Sequence, residues 1–354
     1  MPKVSVIGAT SWGITLSLLL ARKGIRVSLW VRTASEAREL QESRLQSCGN
    51  HVYDVPPIDI PLNLTITDDP KEAVTDAKAV ILPVTSQTMR QNVRIIQPYL
   101  NKGMIITSAT KGIELGTYRR MSQVIQEEVG PQLSRNICVL SGPNLAKEIM
   151  LGLPAATVVA SENTEASRIM QRLLSTQNLC VFTHTDVIGV ELGGALKNII
   201  ALGAGMADGL GYGDNAKAAF ITRGLTEISA LGVALGANPL TFSGLAGLGD
   251  VITTCASKLS RNHYVGFELG RGRSLEDILK SMNEVAEGIT TTKVAWELAR
   301  KFGLAMPITE KVYRVLYEGL NPRDAASELM GTPVNHELTG RKWRLFTFLR
   351  RRKS

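Results

Sequence analysis

The sequence predicts a mostly parallel α/β domain over residues 1–186, an all-helical domain over residues 187–335, and a basic, flexible tail over residues 336–354. The length of 354 residues is typical of two domains. In the first part, short apolar runs alternate with segments of helical periodicity, which is the pattern of a parallel sheet with helices on its faces. After Asp186 the helical periodicity continues without convincing strands.

The individual elements follow from local patterns. Apolar runs bounded by turn residues predict strands at residues 4–7, 26–30, 79–84, 104–108, 137–140 and 156–160. Helical spacing predicts helices between them at residues 12–22, 36–47 and 86–99. In the second part, turn signals separate predicted helices at residues 187–208, 214–234, 261–270, 274–281, 289–302 and 307–318.

The composition is that of an ordinary globular protein, with 44% hydrophobic and 20% charged residues, and it excludes a disordered or collagen-like chain. The cysteines and histidines are dispersed, so we predict no metal site and a reduced, cytoplasmic compartment. These residues are Cys48, Cys138, Cys180, Cys255, His51, His184, His263 and His336. The apolar segment 187–207 contains Glu191 and Lys197, which favours a buried helix over a membrane span.

The net charge of +8 is concentrated in the tail. Residues 341–354 hold seven of the 40 basic residues and no acid, which leaves 33 basic against 32 acidic residues elsewhere. We therefore expect no nucleic-acid partner. Aromatic side chains such as Trp343 and Phe346 lie between the cations of the tail, a combination that suits weak contact with an anionic membrane surface. A solubilising tail without a partner is the alternative.

The first predicted strand runs into GATSWG, the dinucleotide fingerprint G-x-G-x-x-G with Thr10 in place of the second glycine. Gly8 would permit the tight turn, Gly13 would let the helix approach the strand, and the helix N-terminus would face a pyrophosphate. This predicts a Rossmann-like domain, although a strand–turn–helix without a ligand has the same pattern. With Thr10 present, either the pyrophosphate shifts or the threonine hydroxyl contacts it.

Three later strand ends carry further candidates. Arg32 follows the second predicted strand, where a cation suits the 2′-phosphate of NADP, so we expect NADP or NAD with NADP favoured. Lys111 follows the fourth and is a candidate contact for an anionic substrate. After the next strand, Gly142 and Pro143 predict a turn and Asn144 is a candidate helix cap. An exposed arginine, a surface lysine and a turn without function are the alternatives.

Lys197 is the candidate for proton transfer. Its neighbours at helical spacing are Gly193, Gly194, Ala201 and Ala204. This strip of minimal side chains leaves room for a ligand beside the amine, or for a second helix with the lysine reaching out to water. Burial near another cation lowers the pKa of a lysine, which suits proton transfer near neutral pH.

Two further segments suit a phosphorylated substrate. Asp250 supplies an acid after a glycine-rich turn. Ser260 predicts the N-cap of a helix and places Arg261 and Asn262 in its first turn, where free N–H groups and a guanidinium together form an anion site. A solvated loop acid and a capped helix without a ligand are the alternatives.

Taken together, these segments resemble the bacterial-type NAD(P)-dependent glycerol-3-phosphate dehydrogenases over about residues 4–322. The similarity is carried, in order, by GATSWG, KGIE, SGPNLAKE, GGALKNIIALGAGMADG, GLAGLGDVITTC and KLSRNHYVG. The departures are Thr10 for glycine and Asn144 for the usual serine or threonine. The resemblance implies a helical domain like that of 6-phosphogluconate dehydrogenase, a homodimer, and reversible reduction of dihydroxyacetone phosphate to sn-glycerol 3-phosphate for phospholipid synthesis.

The resemblance also implies residue roles, with Lys197 as proton donor and acceptor. The implied substrate contacts are Lys111, Gly142, Asn144, Lys197, Asp250, Ser260, Arg261 and Asn262. The fingerprint and the resemblance together imply cofactor contacts at Gly8, Thr10, Ser11, Trp12, Gly13, Arg32, Lys111, Ala146, Arg261, Val285 and Glu287. The rival functions are a β-hydroxyacid or ketopantoate-type reductase, against which the Ser-Arg-Asn turn argues, and a non-catalytic dinucleotide-binding or nucleic-acid-binding protein.

Overall fold

An eight-stranded sheet organises the first half of the chain in the computed structural model, which describes residues 2–42, 60–282 and 284–331. The strands are β1 Lys3–Ile7, β2 Arg26–Trp30, β3 Leu64–Thr67, β4 Ala77–Leu82, β5 Ile105–Ser108, β6 Ile137–Ser141, β7 Ala155–Ala160 and β8 Leu179–His184. Their order is β3-β2-β1-β4-β5-β6-β7-β8, and neighbours are parallel except β6 and β7. This confirms the mostly parallel α/β prediction, and the strand order reverses between β1 and β4, where open sheets bind ligands.

Helices cover the sheet. They are α1 Ser11–Arg22, α2 Ala34–Glu42, α3 Pro70–Val74, α4 Met89–Ile96, α5 Met121–Val129, α6 Pro131–Ser134, α7 Ala146–Met150 and α8 Thr164–Leu174. A side chain that turn signals favour caps the N-terminus of three of them, α1, α3 and α8. Asp69 and Asn163, for example, accept backbone N–H groups at the starts of α3 and α8. The strand interiors of β1 and β4 are buried, because helices pack on both faces of a parallel sheet.

The second half of the chain is helical, as predicted. Its helices are α9 Val187–Gly209, α10 Asp214–Ala234, α11 Asp250–Ala256, α12 Arg261–Gly270, α13 Leu275–Lys280, α14 Glu287–Phe302, α15 Pro307–Tyr317 and α16 Pro322–Met330. A π-helical turn at Leu245–Gly249 precedes α11. By length and composition α9 could cross a membrane, but 94% of its apolar window is buried inside the protein, as in a core helix.

Glycines bring α9 and α12 into backbone contact at the centre of the helical part. A Cβ on Gly205 of α9 would lie 2.1 Å from the His263 carbonyl oxygen, and one on Gly266 of α12 would lie 1.9 Å from the Leu202 carbonyl oxygen. Larger side chains would push the helices apart. The position of Lys197 relative to the start of α12 is therefore set by close packing.

The differences from the predicted elements have local causes. β8 was not predicted, because its exposed positions hold Cys180 and Phe182, which hide the alternation of an edge strand. The four-residue β3 and the seven-residue α11 were also missed, since such short segments carry little periodicity. The second helix is described as far as Glu42. Residues 43–47, Cys48, His51, His336 and the tail lie outside the described residues.

Candidate functional site

The candidate residues gather at the carboxyl ends of β1, β4, β5 and β6, which are adjacent in the sheet. These ends lead to the turn at Gly8, to Ser86, to Lys111 and to Gly142, respectively. The helix α9 packs against β6 and brings Lys197 to the same edge. Residues far apart in the sequence therefore converge on one region.

The turn after β1 has the geometry that the fingerprint requires. Gly8 adopts φ +109°, and a Cβ on Gly13 would lie 2.1 Å from the Gly8 carbonyl oxygen. Thr10 has φ −66° and ψ 161°, an ordinary extended conformation that needs no glycine. Its hydroxyl donates to the Pro83 carbonyl at 2.7 Å and accepts from Gly13 N at 3.1 Å. Thr10 thus caps α1, and its hydroxyl is already paired within the protein rather than free for a pyrophosphate.

The first turn of α1 already holds a carboxylate. The Ser11 hydroxyl donates to Glu284 Oε1, and the other carboxylate oxygen lies 3.4 Å from Arg261 Nε. Trp12 packs against the hydrophobic core of the sheet. The N-terminus of α1 and the Arg261 guanidinium therefore share one anionic side chain.

The end of β2 carries charges of both signs. Arg32 is exposed there, and its backbone N–H donates to Glu36 Oε2 at 3.1 Å. Glu36 belongs to α2, so a carboxylate lies beside the cation that the sequence pattern singled out. The same strand end thus presents a guanidinium that suits a phosphate and a carboxylate that suits a hydroxyl.

At the centre of the site, Asp250 lies between two lysines. Its Oδ1 accepts from Lys197 Nζ at 2.5 Å, and its Oδ2 accepts from Lys111 Nζ at 2.5 Å. Lys197 also donates to Thr254 Oγ1, and Lys111 donates to the Gly142 carbonyl at 2.8 Å. The side chains of Asp250 and Lys197 are only 2% and 7% exposed. Two ammonium groups around one carboxylate leave a net positive charge, which can stabilise an oxyanion in a site shielded from water.

This environment brings a proton equilibrium close to neutral pH. The pKa of Lys111 is lowered to about 8, because burial, helped by the neighbouring Lys197 charge, outweighs the opposing effect of the Asp250 carboxylate. The loop that carries Lys111 is held by Gln87, whose amide donates to the Ile113 carbonyl at 2.9 Å. The amine is therefore both positioned and poised to change its charge.

The strip of small residues beside Lys197 is filled by protein. A Cβ on Gly193 would lie 2.6 Å from the Ala246 carbonyl oxygen, and one on Gly194 would lie 2.2 Å from Ser141 Oγ. The expectation that this strip leaves room for a ligand is wrong at these two positions. Lys197 does not reach out to water either, because its amine bonds inside the protein. The glycines instead bring α9 against β6 and the turn before α11.

The turn after β6 differs from the expectation for Asn144. Leu145 occupies the N-cap of α7 without a side-chain bond, and the Asn144 amide donates to Thr157 Oγ1 at 3.0 Å, so the predicted helix cap is wrong. Gly142 adopts φ +143°, as expected for the turn. Within the described residues, Ser141 Oγ and Asn144 Oδ1 are buried without a hydrogen-bond partner. Buried polar atoms are normally paired, so these two suit a polar ligand.

The start of α12 has the predicted cap. Ser260 Oγ accepts from His263 N at 3.2 Å. Asn262 Oδ1 accepts from Gly288 N at 2.9 Å and thereby ties α12 to α14. Arg261 is nearly half exposed and donates to the Val285 carbonyl at 3.3 Å. The helix start is thus fixed, while the guanidinium lies at the surface beside the segment that precedes α14.

Glu287 and Ala146 connect the remaining elements. Glu287 Oε1 accepts from Ser86 N at 2.8 Å, its Oε2 accepts from the Ser86 hydroxyl, and burial raises the pKa of this carboxyl. The Ala146 carbonyl accepts from Thr15 Oγ1 at 3.4 Å, which joins α7 to α1. Glu287 therefore anchors α14 to the end of β4, and α7 borders the turn after β1.

Sequence reasoning missed three residues of this region, namely Thr254, Ser86 and Glu284. Thr254 follows Asp250 by one helical turn, so helical spacing would have found it had α11 been predicted. Glu284 contacts Ser11 across a separation of 273 residues, for which no local signal exists.

Comparison with known proteins agrees with these features. Residues 3–167 match the family model described as the N-terminus of NAD-dependent glycerol-3-phosphate dehydrogenase, and residues 186–327 match the one described as its C-terminus. A glycerol-3-phosphate dehydrogenase [NAD(P)+] of Dehalococcoides mccartyi is 56% identical over 356 aligned residues, covering 100% of this chain and 98% of the relative.

Two solved structures extend the comparison. The glycerol-3-phosphate dehydrogenase of Coxiella burnetii has a TM-score of 0.86 at 35% identity, covering 94% of this chain and 99% of its own. A ketopantoate reductase from Ralstonia eutropha has a TM-score of 0.57 at 15% identity, covering 93% of this chain and 99% of its own, which shows a shared fold alone. The chain therefore belongs to the NAD-dependent glycerol-3-phosphate dehydrogenase family.

Proposed function

We propose that this protein catalyses the reversible reduction of dihydroxyacetone phosphate to sn-glycerol 3-phosphate with NADPH or NADH. The observation that carries the proposal is the position of Asp250 between Lys111 and Lys197. This charged centre lies at the sheet edge where open α/β folds bind dinucleotides. Membership of the family supports the choice of substrate.

We propose that the turn at Gly8, together with Ser11 and the N-terminus of α1, holds the cofactor pyrophosphate. The residues fit this group, because Gly13 has no Cβ to block the turn and Ser11 already binds a carboxylate. The remaining proposed cofactor contacts are Thr10, through its backbone, and Trp12, Arg32, Lys111, Ala146, Arg261, Val285 and Glu287. When bound, the nicotinamide supplies a hydride to the ketone carbon or accepts one in the reverse direction.

The cofactor preference depends on the end of β2. Arg32 favours the 2′-phosphate of NADP, while Glu36 beside it provides an acceptor for the ribose hydroxyl of NAD. The Arg32 guanidinium is exposed, so we propose NADP first and NAD second.

Lys197 is proposed to give its proton to the substrate oxygen as that oxygen gains negative charge. Asp250 and Thr254 hold the amine by hydrogen bonds, so its direction is set before the substrate arrives. Lys111 supplies the second positive charge on the other side of the carboxylate. In the oxidation direction, Lys197 takes the hydroxyl proton.

Both ends of the substrate are proposed to be held. The phosphate would lie at the start of α12, where Arg261, Asn262 and the capped helix N-terminus provide positive charge and donors. The free hydroxyl would lie near Gly142, where Ser141 Oγ and Asn144 Oδ1 lack partners in the described part of the chain. Holding the two ends places the ketone beside Lys197.

The test is NADPH oxidation with dihydroxyacetone phosphate, compared with non-phosphorylated keto acids such as ketopantoate. We expect turnover with the phosphorylated ketone alone, and a parallel series with NADH gives the cofactor preference. Turnover of the keto acids instead would favour the related reductase. Tight dinucleotide binding without turnover of either substrate would favour a non-catalytic dinucleotide-binding protein.

We also propose that the protein is a cytoplasmic homodimer with no nucleic-acid partner. The proposed boundary between its two domains lies between residues 186 and 187. Its product is proposed to supply phospholipid synthesis. The charge of the tail supports weak contact with an anionic membrane surface. Co-sedimentation with anionic vesicles, compared between the full chain and residues 1–338, tests this contact. Equal sedimentation of the two proteins would contradict it.

A further inference from the structure

Glu284, in the segment before α14, and Glu287, the first residue of that helix, contact the segments that follow two different strands of the sheet. Glu287 accepts hydrogen bonds from both the backbone N–H and the hydroxyl of Ser86, which follows β4. Glu284 accepts the hydroxyl of Ser11 after β1, and its side chain is 38% exposed. Because Glu287 is mostly buried and bound by two donors, it anchors the segment. Glu284 lies at the surface, outside any helix, and is free to exchange partners.

The partners of Glu284 are groups that suit a phosphate. Ser11 lies at the positive end of α1, and Arg261 begins α12 beside the cap Ser260. A carboxylate and a phosphate compete for such donors, since both are anions that accept charge-assisted hydrogen bonds. A pyrophosphate at the N-terminus of α1 therefore requires Glu284 to leave Ser11, because like charges repel at this distance.

We infer that Glu284 is an internal anion that couples the cofactor site to the substrate phosphate site. In the structure its carboxylate accepts from the Ser11 hydroxyl and offsets the Arg261 charge. Arrival of the pyrophosphate displaces the carboxylate and releases the guanidinium for the substrate phosphate. Each ligand that breaks the contact makes the other bind more tightly, and the coupling is reciprocal. Glu284 is in this sense a positioning residue that acts through Arg261. The inference rests on the proposed function and deepens it.

The experiment measures binding without turnover. NADPH and sn-glycerol 3-phosphate are titrated singly and together into the wild type, into Glu284→Gln and into the control Glu276→Gln. Together they form a complex that cannot react, since both are in the reduced form. Glu276 is an exposed acid on α13, 2.6 Å from Lys280, and its substitution makes the same charge change.

In Glu284→Gln, we expect the Kd for NADPH to fall about tenfold and the Kd for sn-glycerol 3-phosphate in the absence of cofactor to fall as well. The ratio of sn-glycerol 3-phosphate affinities with and without NADPH should drop from about tenfold toward one. Glu276→Gln should match the wild type in all three quantities, and Glu284→Ala should repeat the result of Glu284→Gln.

Unchanged or weaker NADPH binding in both Glu284 variants would overturn the inference, as would a coupling ratio equal to that of the wild type. A simple loss of structure at this position would weaken the binding of both ligands. Tighter binding in the variants would therefore indicate coupling and not a structural role. Failure of the wild type to reduce dihydroxyacetone phosphate would refute the proposed function. The NADPH titration would still decide whether Glu284 competes at Ser11.

Discussion

Replacing Asp250 by asparagine should move the pH dependence of the reduction toward acid. The pKa of Lys111 is lowered to about 8 by burial even though the Asp250 charge raises it. Two unit charges about 4 Å apart interact by roughly 4 kcal/mol at an effective dielectric constant of about 20, which corresponds to about 3 pKa units. Asp250→Asn keeps the shape of the side chain but removes this charge. The pKa of Lys111 should therefore fall from about 8 toward about 5.

The assay is kcat/KM for dihydroxyacetone phosphate at saturating NADPH between about pH 5 and pH 9, which reports the groups of the enzyme before this substrate binds. The charged lysine is the active form, so activity is present below its pKa and is lost above it. In the wild type kcat/KM should fall as the pH rises through about 8. In Asp250→Asn it should be lower by ~100-fold at pH 7 and should largely recover toward pH 5.

Two controls accompany this measurement. The wild-type profile with the same substrate accounts for titration of the substrate phosphate. Asp324→Asn, a substitution of an exposed acid on α16, should leave the profile unchanged. Thermal melting confirms that each variant is folded at both ends of the pH range. If kcat/KM of Asp250→Asn still falls only near pH 8, or is reduced by the same factor at every pH, the electrostatic reasoning is refuted.

Three further predictions concern single side chains. Lys197→Ala should lower kcat by ~10²–10⁴, the usual contribution of a general acid, while NADPH binding followed by fluorescence changes little; a kcat near that of the wild type would remove Lys197 from the mechanism. Arg261→Ala should raise KM for dihydroxyacetone phosphate more than KM for NADPH in steady-state kinetics, and equal increases would argue against a phosphate role. Thr10→Val should lower the free energy of unfolding by about 1–2 kcal/mol because it removes the cap of α1, whereas Thr10→Ser keeps the hydroxyl and should be nearly as stable as the wild type. Equal stability of the two variants in denaturant titration would show that the hydroxyl does not stabilise α1.

The fold was largely predictable because its strongest signals are local. Buried parallel strands such as β4 appear as continuous apolar runs, and long helices such as α9 and α10 show sustained periodicity. The edge strand β8 escaped prediction because an edge strand can expose apolar side chains, here Cys180 and Phe182, without a change in composition. The antiparallel pairing of β6 and β7 also has no local signal, since direction depends on the path of the connection.

The site was predictable as a set of residues but not as an arrangement. Lys197 and Asp250 stand out individually, one as a charge in an apolar helix and the other as a charge after a glycine-rich turn. Burying a charge is unfavourable unless it is paired, so such a residue is a candidate for function. Their pairing depends on the contact of Gly193 with Ala246, which joins two segments far apart in the sequence. In the sequence, the glycines beside Lys197 fit either room for a ligand or close helix packing with the lysine reaching out to water. The structure shows close packing with the amine bonded inside the protein, and the two kinds of space look the same in sequence.

The role of Lys197 is tested most directly by a crystal structure of the wild type with NADPH and sn-glycerol 3-phosphate, a pair that cannot react because both are reduced. We expect Lys197 Nζ within about 2.6–3.2 Å of the substrate C2 oxygen, with the phosphate at the start of α12. A C2 oxygen beyond hydrogen-bond reach of Lys197, or a phosphate bound elsewhere, would refute the proposed proton transfer.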